Sequence, residues 1–185
     1  SNVVGTGNLL EYVRKYQPNL KRFITFSTDE IYGPAPEGVF YEEGHVHNPS
    51  NPYSASKSGE EAISKAFAFS HKIPITITNT MNVLGERQHP EKFMPMTIKK
   101  ILKGEKILLH GLKGKESSRC WIHAINICDA LLFINKNGEI ITKEKQNDPS
   151  WGIYHIVGEE RTVRQIADLA SEVIRGRGMR DDEID

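Results

Sequence analysis

At 185 residues, with 38% hydrophobic and 26% charged side chains, the chain is long enough and apolar enough to bury an ordinary globular core. Lys+Arg and Asp+Glu balance at 24 each, so no electrostatic grip on nucleic acid is indicated, and no apolar run approaches the ~20 residues of a membrane span. Cys120 and Cys128 are too few for a disulfide framework and lack a zinc-type spacing, so they read as reduced thiols of a cytoplasmic protein with no metal site.

In chain order, Val3, Val4, Leu9, Leu10 and Val13 recur at helical spacing, and Pro18 stops that helix. Phe23–Ser27 is a short run too apolar to be half-exposed and predicts a buried parallel strand. A Gly- and Pro-bearing loop from Gly33 to Pro49 leads to a second helix, with Asn51 as N-cap, Pro52 at the first helical position, and Ala62, Ile63, Ala66 and Phe67 as its apolar face. Pro74–Thr78 predicts another strand, and this helix–strand alternation points to an α/β fold with a parallel sheet. Beyond Gly85, strands at Lys106–His110, Arg119–His123 and Ile153–Val157 alternate with helices near Met96–Leu102 and Ile127–Ile134. Asn135–Ser150 reads as a polar surface loop. A last helix opens at a Thr162/Gln165 capping box, with Val163, Ile166, Leu169 and Val173 as its stripe. The expected organisation is residues 1–85 as the rear of a Rossmann-type domain and 86–185 as a smaller α/β substrate lobe. Both ends read as cut: Ser1 stands inside helical sequence without a Met, and Arg175–Asp185 closes on polar residues with no final element.

The chemistry concentrates at two places. In Tyr53-Ser-Ala-Ser-Lys57 the phenol and the ammonium lie four residues apart on one helix face. A nearby Lys cation favours the phenolate and brings a weak base toward working range. Such a pair is common by chance, but Ser27-Thr28-Asp29-Glu30 follows the carboxyl end of a predicted parallel strand, where open α/β sheets bind ligands. Adjacent carboxylates there can divide acid and base roles.

Asn2-x-x-Gly5-Thr6, Ser27-Thr-Asp-Glu-Ile-Tyr-Gly33, Asn51-Pro-Tyr-Ser-Ala-Ser-Lys57, Asn82-Val-Leu-Gly-Glu-Arg87 through Pro95, and Arg119-Cys-Trp-Ile-His123 closely resemble the dTDP-glucose 4,6-dehydratases, which are extended short-chain dehydrogenase/reductases. The likeness runs from Asn2 to about Ala170, and the Thr-Asp-Glu triplet marks the dehydratase branch. The resemblance implies NAD as cofactor, with Ser27, Tyr53 and Lys57 beside it. Tyr53, helped by Thr28 and Lys57, would take the C4 hydroxyl proton as hydride leaves C4. Glu30 would then abstract the C5 proton, Asp29 would protonate the departing C6 hydroxyl, and hydride would return to C6. Asn82, Arg87, Lys92, Phe93 and Arg119 would hold the nucleotide sugar, Arg119 facing its diphosphate. A homodimer through the Tyr/Lys helix and the helix before it is implied by the same resemblance. The alternatives are another NAD-dependent sugar-nucleotide epimerase or dehydratase, or a non-catalytic remnant.

Other features fit this frame loosely. Gly5-Thr-Gly7 is no dinucleotide loop, and Gly5 reads instead as a close-packing helix residue. Gly111–Gly114 reads as a hairpin turn, and His45-Val46-His47 as a loop pair without a role. Asn79 stands where the family usually carries Arg, so an ion pair is expected to be lost. Asn126 stands where Asp is common. The glycine-rich start that seats NAD in the family is missing from this sequence, so the 185-residue chain alone is expected neither to bind NAD tightly nor to turn over.

Overall fold

The computed structural model describes residues 2–36, 38–109, 111–112 and 115–185. Its elements are α1 (Asn2–Tyr16), β1 (Phe23–Thr28), a 3-10 turn (Asp29–Tyr32), α2 (Pro52–His71), β2 (Ile75–Thr80), β3 (Asn82–Leu84), α3 (Phe93–Lys103), β4 (Gly111–Leu112), β5 (Lys115–Glu116), β6 (Ser118–His123), α4 (Ala124–Asn137), β7 (Ile153–Ile156), β8 (Glu159–Thr162) and α5 (Val163–Arg175). They fall into two units: Ser1–Thr80 with Ile127–Ile156, and Met81–Asn126 with Val157–Asp185.

The first unit is a parallel sheet in the order β1-β2-β7, covered by α1 and α2. The central strand β2 is buried at every position. With the period of two in a strand, Ile75 and Ile77 face one way and join Leu10, Val13, Ala68, Ile73, Ile141 and Ile153 in the core. Thr76, Thr78 and Thr80 face the other way and satisfy their hydroxyls on the carbonyls of Glu139, Thr25 and Ser27. Threonine thus gives this strand its β-branched shape at no polar cost.

Several sequence expectations need correction here. β1 is an edge strand of the described sheet, and Phe26 is 42% exposed rather than buried, because it faces away from the side on which Thr25 and Ser27 are buried. Ala62 and Ala66 of α2 face solvent; its buried side is Ser54, Glu60, Glu61, Ser64 and Ala68, with Ile63 and Phe67 partly covered. Val4 and Leu9 of α1 are exposed, and only Leu10 and Val13 of the expected stripe are buried. Gly5 meets no neighbour, whereas a Cβ on Gly59 would stand 2.8 Å from Val3 Cγ2, so Gly59 is the close-packing glycine. The expected polar loop 135–150 starts late, since α4 runs to Asn137. It also contains the buried Ile141, whose N–H donates to Ile75 O at 2.7 Å and seals the start of β2.

The second unit has a sheet in the order β3-β6-β8, with β3 parallel and β8 antiparallel to β6. The Thr162/Gln165 capping box is present, but Leu169 and Val173 are exposed; α5 buries Ile166, Ala167, Ala170 and Ser171 instead. Lys106–Leu109 forms no strand: Ile107 makes an isolated bridge to Ile184, and His110 lies outside the described residues. β4 and β5 pair antiparallel as a hairpin requires, while its Lys113–Gly114 turn lies outside the described residues. The polar tail is fastened: Arg175 and Arg177 both reach Glu183, at 3.1 and 2.6 Å, and Met179 is buried beside Ile101, Ile107 and Ala167. Among the described residues no helix is long and apolar enough to cross a membrane.

Removing the side chain of the fully buried Ile77 is expected to cost about 2–5 kcal/mol, the range for core truncations. The 87%-exposed Val173→Ala is expected to stay within about 0.5 kcal/mol. Urea midpoints of the two variants check both values.

Candidate functional site

β1 ends at Thr28, whose extended backbone caps the 3-10 turn and whose hydroxyl accepts the Glu30 N–H at 3.4 Å. The same hydroxyl donates to Asp29 Oδ1 at 3.3 Å. Gly33 ends the turn at φ +76, and a Cβ there would sit 2.4 Å from Asn48 O, so only glycine suits the position. From Asn48, whose N–H donates to Ile31 O at 2.9 Å, the chain reaches the start of α2. Asn51 and Ser54 form a reciprocal capping box with Pro52 at the first position, as expected from the sequence. Asn51 does more than cap: its Nδ2 donates to Glu30 Oε2 at 3.1 Å. The acidic turn is therefore tied to the end of α2 that carries Tyr53.

Tyr53 is half-exposed in the first turn of α2. Lys57, one turn further, donates to Phe26 O at 2.8 Å and pairs with Glu60 Oε2 at 2.7 Å. Glu60 in turn accepts from Thr6 at 3.1 Å, and Asn2 of α1 donates to Ser56 at 2.8 Å, so α1 braces this helix. Thr28, Asp29, Glu30, Tyr53 and Lys57 thus gather at the carboxyl end of β1 and the first two turns of α2. Ser27 is 2% exposed and turned inward, toward a buried cluster that sequence reasoning missed.

That cluster centres on Glu61, whose side chain is fully buried. Asn79 Nδ2 donates to Glu61 Oε1 at 2.6 Å, and His47 Nε2 lies 3.4 Å from Oε2. Burial pushes the carboxyl up, but the neighbouring His47, Ser27 and Asn79 outweigh it and hold the group below the ordinary glutamate range. His47 is held on its other side by Ser58 at 2.8 Å and stands edge-on to Tyr32, with ring centres 5.6 Å apart. His45 stacks on Tyr41 at 4.6 Å. The expectation that the two histidines are idle is therefore corrected. Asn79, where an arginine was expected, binds Glu61 through its amide.

Next to it, Tyr32 OH lies 2.9 Å from His155 Nε2, and the His155 backbone N–H donates to Glu43 Oε1 at 3.0 Å. Burial raises the Tyr32 phenol, helped by the charges of Glu61 and Glu43, and burial lowers the His155 imidazole. The signal for this cluster was a carboxylate four residues after Lys57 together with Asn79 inside an otherwise β-branched strand.

In the second unit, Asn82 opens β3 opposite Trp121 of β6. Arg87 takes a left-handed backbone at φ +63 in the loop before α3, where Gln88 is held by Val83 O at 2.7 Å. Exposed Lys92 is the N-cap position of α3, and the Phe93 ring lies 5.8 Å from that of Trp121. A cleft of ≈ 510 Å³ is lined by Glu86, Arg87, Met94, Ile98 and Leu102 among others; Asn82, Lys92, Phe93 and Arg119 do not line it. Arg119 is exposed on β6 directly across from Arg161 on β8. Like charges in opposite register disfavour one another, and an anion between them would reverse that cost. Among the described residues no cluster of His, Cys, Asp and Glu could hold a metal ion.

A family model for the NAD dependent epimerase/dehydratase family matches residues 1–147. The dTDP-D-glucose 4,6-dehydratase of Dictyostelium discoideum is 37% identical over 153 residues, covering 76% of this chain and 34% of that protein. The low-salt glycan biosynthesis protein Agl12 of Haloferax volcanii is 36% identical over 140 residues, covering 76% of this chain and 44% of its own length. Among solved structures, the dTDP-glucose 4,6-dehydratase of Bacillus anthracis in complex with NAD superposes with a TM-score of 0.85 at 29% identity, covering all of this chain and 54% of that one. The Thermus thermophilus UDP-glucose 4-epimerase complex with NAD superposes with a TM-score of 0.81 at 26% identity, again over the whole of this chain and 56% of that one. The chain thus spans about half or less of the length of these relatives.

The Glu61 carboxyl, lowered in the folded chain, contributes stability that is present above the ordinary value near ~4.3 and lost as pH falls through its folded value. Glu61→Gln is expected to flatten that acid limb of a melting-temperature profile. At neutral pH it is expected to cost about 1–3 kcal/mol, since the surrounding donors lose an ionised acceptor.

Proposed function

Since the chain belongs to the NAD-dependent epimerase/dehydratase family, we propose that it carries the acid–base centre of a nucleotide-sugar 4,6-dehydratase, acting on a substrate such as dTDP-glucose. The observation that carries this reading is the acidic turn: Thr28, Asp29 and Glu30 at the end of β1, with Glu30 tied by Asn51 to the helix end bearing Tyr53. An epimerase needs only one base at C4. Elimination of water across C5 and C6 needs a second base and an acid, and adjacent carboxylates in different surroundings supply both.

The first unit suits a nicotinamide cofactor, because a half-exposed phenol and a lysine one turn apart stand at the carboxyl end of a parallel strand. Tyr53 and Lys57 would border the cofactor's ribose. NAD supplies a hydride acceptor that later gives the hydride back. Tyr53 takes the C4 hydroxyl proton, with Thr28 sharing the hydrogen bond. Lys57, one helical turn beyond the phenol, is held by the Phe26 carbonyl and Glu60. Once C4 is a ketone the C5 proton is acidic; Glu30 removes it, and Asp29 protonates the leaving hydroxyl at C6. In the second unit, Arg119 would face the diphosphate, with Asn82, Arg87, Lys92 and Phe93 contributing to the sugar and base.

Product analysis tests the reading. The chain is grafted in place of the matching portion of the Bacillus anthracis dehydratase and incubated with NAD and dTDP-glucose. A 4-keto-6-deoxy sugar, which absorbs in alkali, is expected; an epimerised hexose would sink the dehydratase assignment. In the same chimera Glu30→Gln is expected to lower kcat by at least about 100-fold with little change in KM. Arg119→Ala is expected instead to weaken nucleotide binding.

We further propose a homodimer through α1 and α2, supported by exposed Val4, Leu9, Tyr12 and Tyr16 on α1 beside exposed Ala62 and Ala66 on α2. Leu9→Glu is expected to shift the species seen by light scattering from dimer to monomer; an unchanged mass would remove this surface from consideration.

A further inference from the structure

The buried cluster behind the acidic turn lies within the first unit and touches the turn's backbone from inside. Asn79 makes two hydrogen bonds with one amide group: Nδ2 donates to Glu61 Oε1 at 2.6 Å and to Thr28 O at 3.4 Å. Asn79 is directly across from Ser27 in the β1–β2 register, and Ser27 is itself turned toward Glu61. Thr28 is the residue whose hydroxyl receives the Glu30 N–H and whose side chain reaches Asp29. On its other oxygen Glu61 meets His47, which Ser58 of α2 fixes from behind at 2.8 Å. His47 belongs to the stretch that leaves the turn at Gly33 and returns to α2, the same stretch whose Asn48 N–H holds Ile31 O.

We propose that His47 and Glu61 are positioning residues that set the acidic turn: His47 orients the buried Glu61 carboxylate, Glu61 orients the Asn79 amide, and Asn79 fixes the Thr28 carbonyl on which the turn is built. A fully buried carboxylate is costly unless it is paired. Oε1 accepts from Asn79 at 2.6 Å and Oε2 faces His47 Nε2 at 3.4 Å, so the two side chains bracket the carboxylate from opposite oxygens. The other charged and titratable groups facing the cluster are Tyr32 and Asp29 of the turn, Lys65 of α2, Glu43 of the returning loop and His155 of β7. The inference rests on the reading of Asp29 and Glu30 as the acid–base pair for its catalytic consequence only.

The test is therefore made on the chain without catalysis, by amide hydrogen exchange. His47→Ala is expected to speed exchange at Glu30 and Gly33, whose N–H groups bond within the turn, by about tenfold relative to Ile77 in the core strand. Glu61→Gln is expected to do the same, and the double variant to do no more than Glu61→Gln alone, because the two act in series. His47→Gln, which keeps an N–H donor at similar reach, is expected to restore exchange to near the original rate. Equal acceleration at Ile77 would mean general loosening of the unit and would overturn the proposal. So would unchanged exchange at the turn, or failure of His47→Gln to rescue. Loss of dehydration in the chimera with these exchange results intact would instead count against the functional reading.

Discussion

An ionised carboxylate without water is the constraint around which the first unit is arranged. Withdrawing such a charge from solvent costs several kcal/mol unless donors replace the lost hydration. Glu61 meets this through Asn79 and His47, with Ser27 close by, and each donor comes from a different part of the chain. One comes from the central strand, one from the loop that follows the acidic turn and one from the edge strand. The group therefore demands that β1, β2, α2 and the returning loop meet at one point. That point lies immediately behind Thr28, so the need to satisfy a buried charge and the placement of the acidic turn are the same geometric problem.

Much of the architecture was legible because it depends on short-range rules. Asn51-Pro52 at the head of α2 and Thr162/Gln165 at the head of α5 are capping signals that act within one turn, and both are present. The strands at Phe23 and Ile75 were visible as β-rich runs. Faces were harder to read. Ala62 and Ala66 read as an inward stripe, yet the inward side of α2 carries Glu61 and Ser64, because polar residues can be buried where the fold brings them partners. Ile141 was hidden in a polar stretch, since one apolar residue that plugs a strand end leaves no periodic trace.

The candidate site divides in the same way. The Tyr53/Lys57 pair and the Asp29/Glu30 pair are local in sequence, so residue spacing was enough to single them out. The contacts that orient them span longer separations: Asn51 to Glu30, Lys57 to Phe26, His47 to Glu61. No spacing rule announces these, and a histidine in a loop carries no mark of what it will meet. The substitution of Asn for an expected Arg at position 79 is informative once the structure is in view. The Asn79 amide reaches the buried Glu61 carboxylate, with His47 of the loop facing the other oxygen.

Among the described residues β1 pairs with β2 along one edge and with no strand along the other, and Phe26 projects half-open from its face. A strand rim of this kind presents regularly spaced amide and carbonyl groups next to an apolar ring, which is a template for adding another extended segment. Parallel sheets are seldom left with such a rim uncovered. Any extended segment that pairs along this border would bear directly on the strand that leads into the acidic turn.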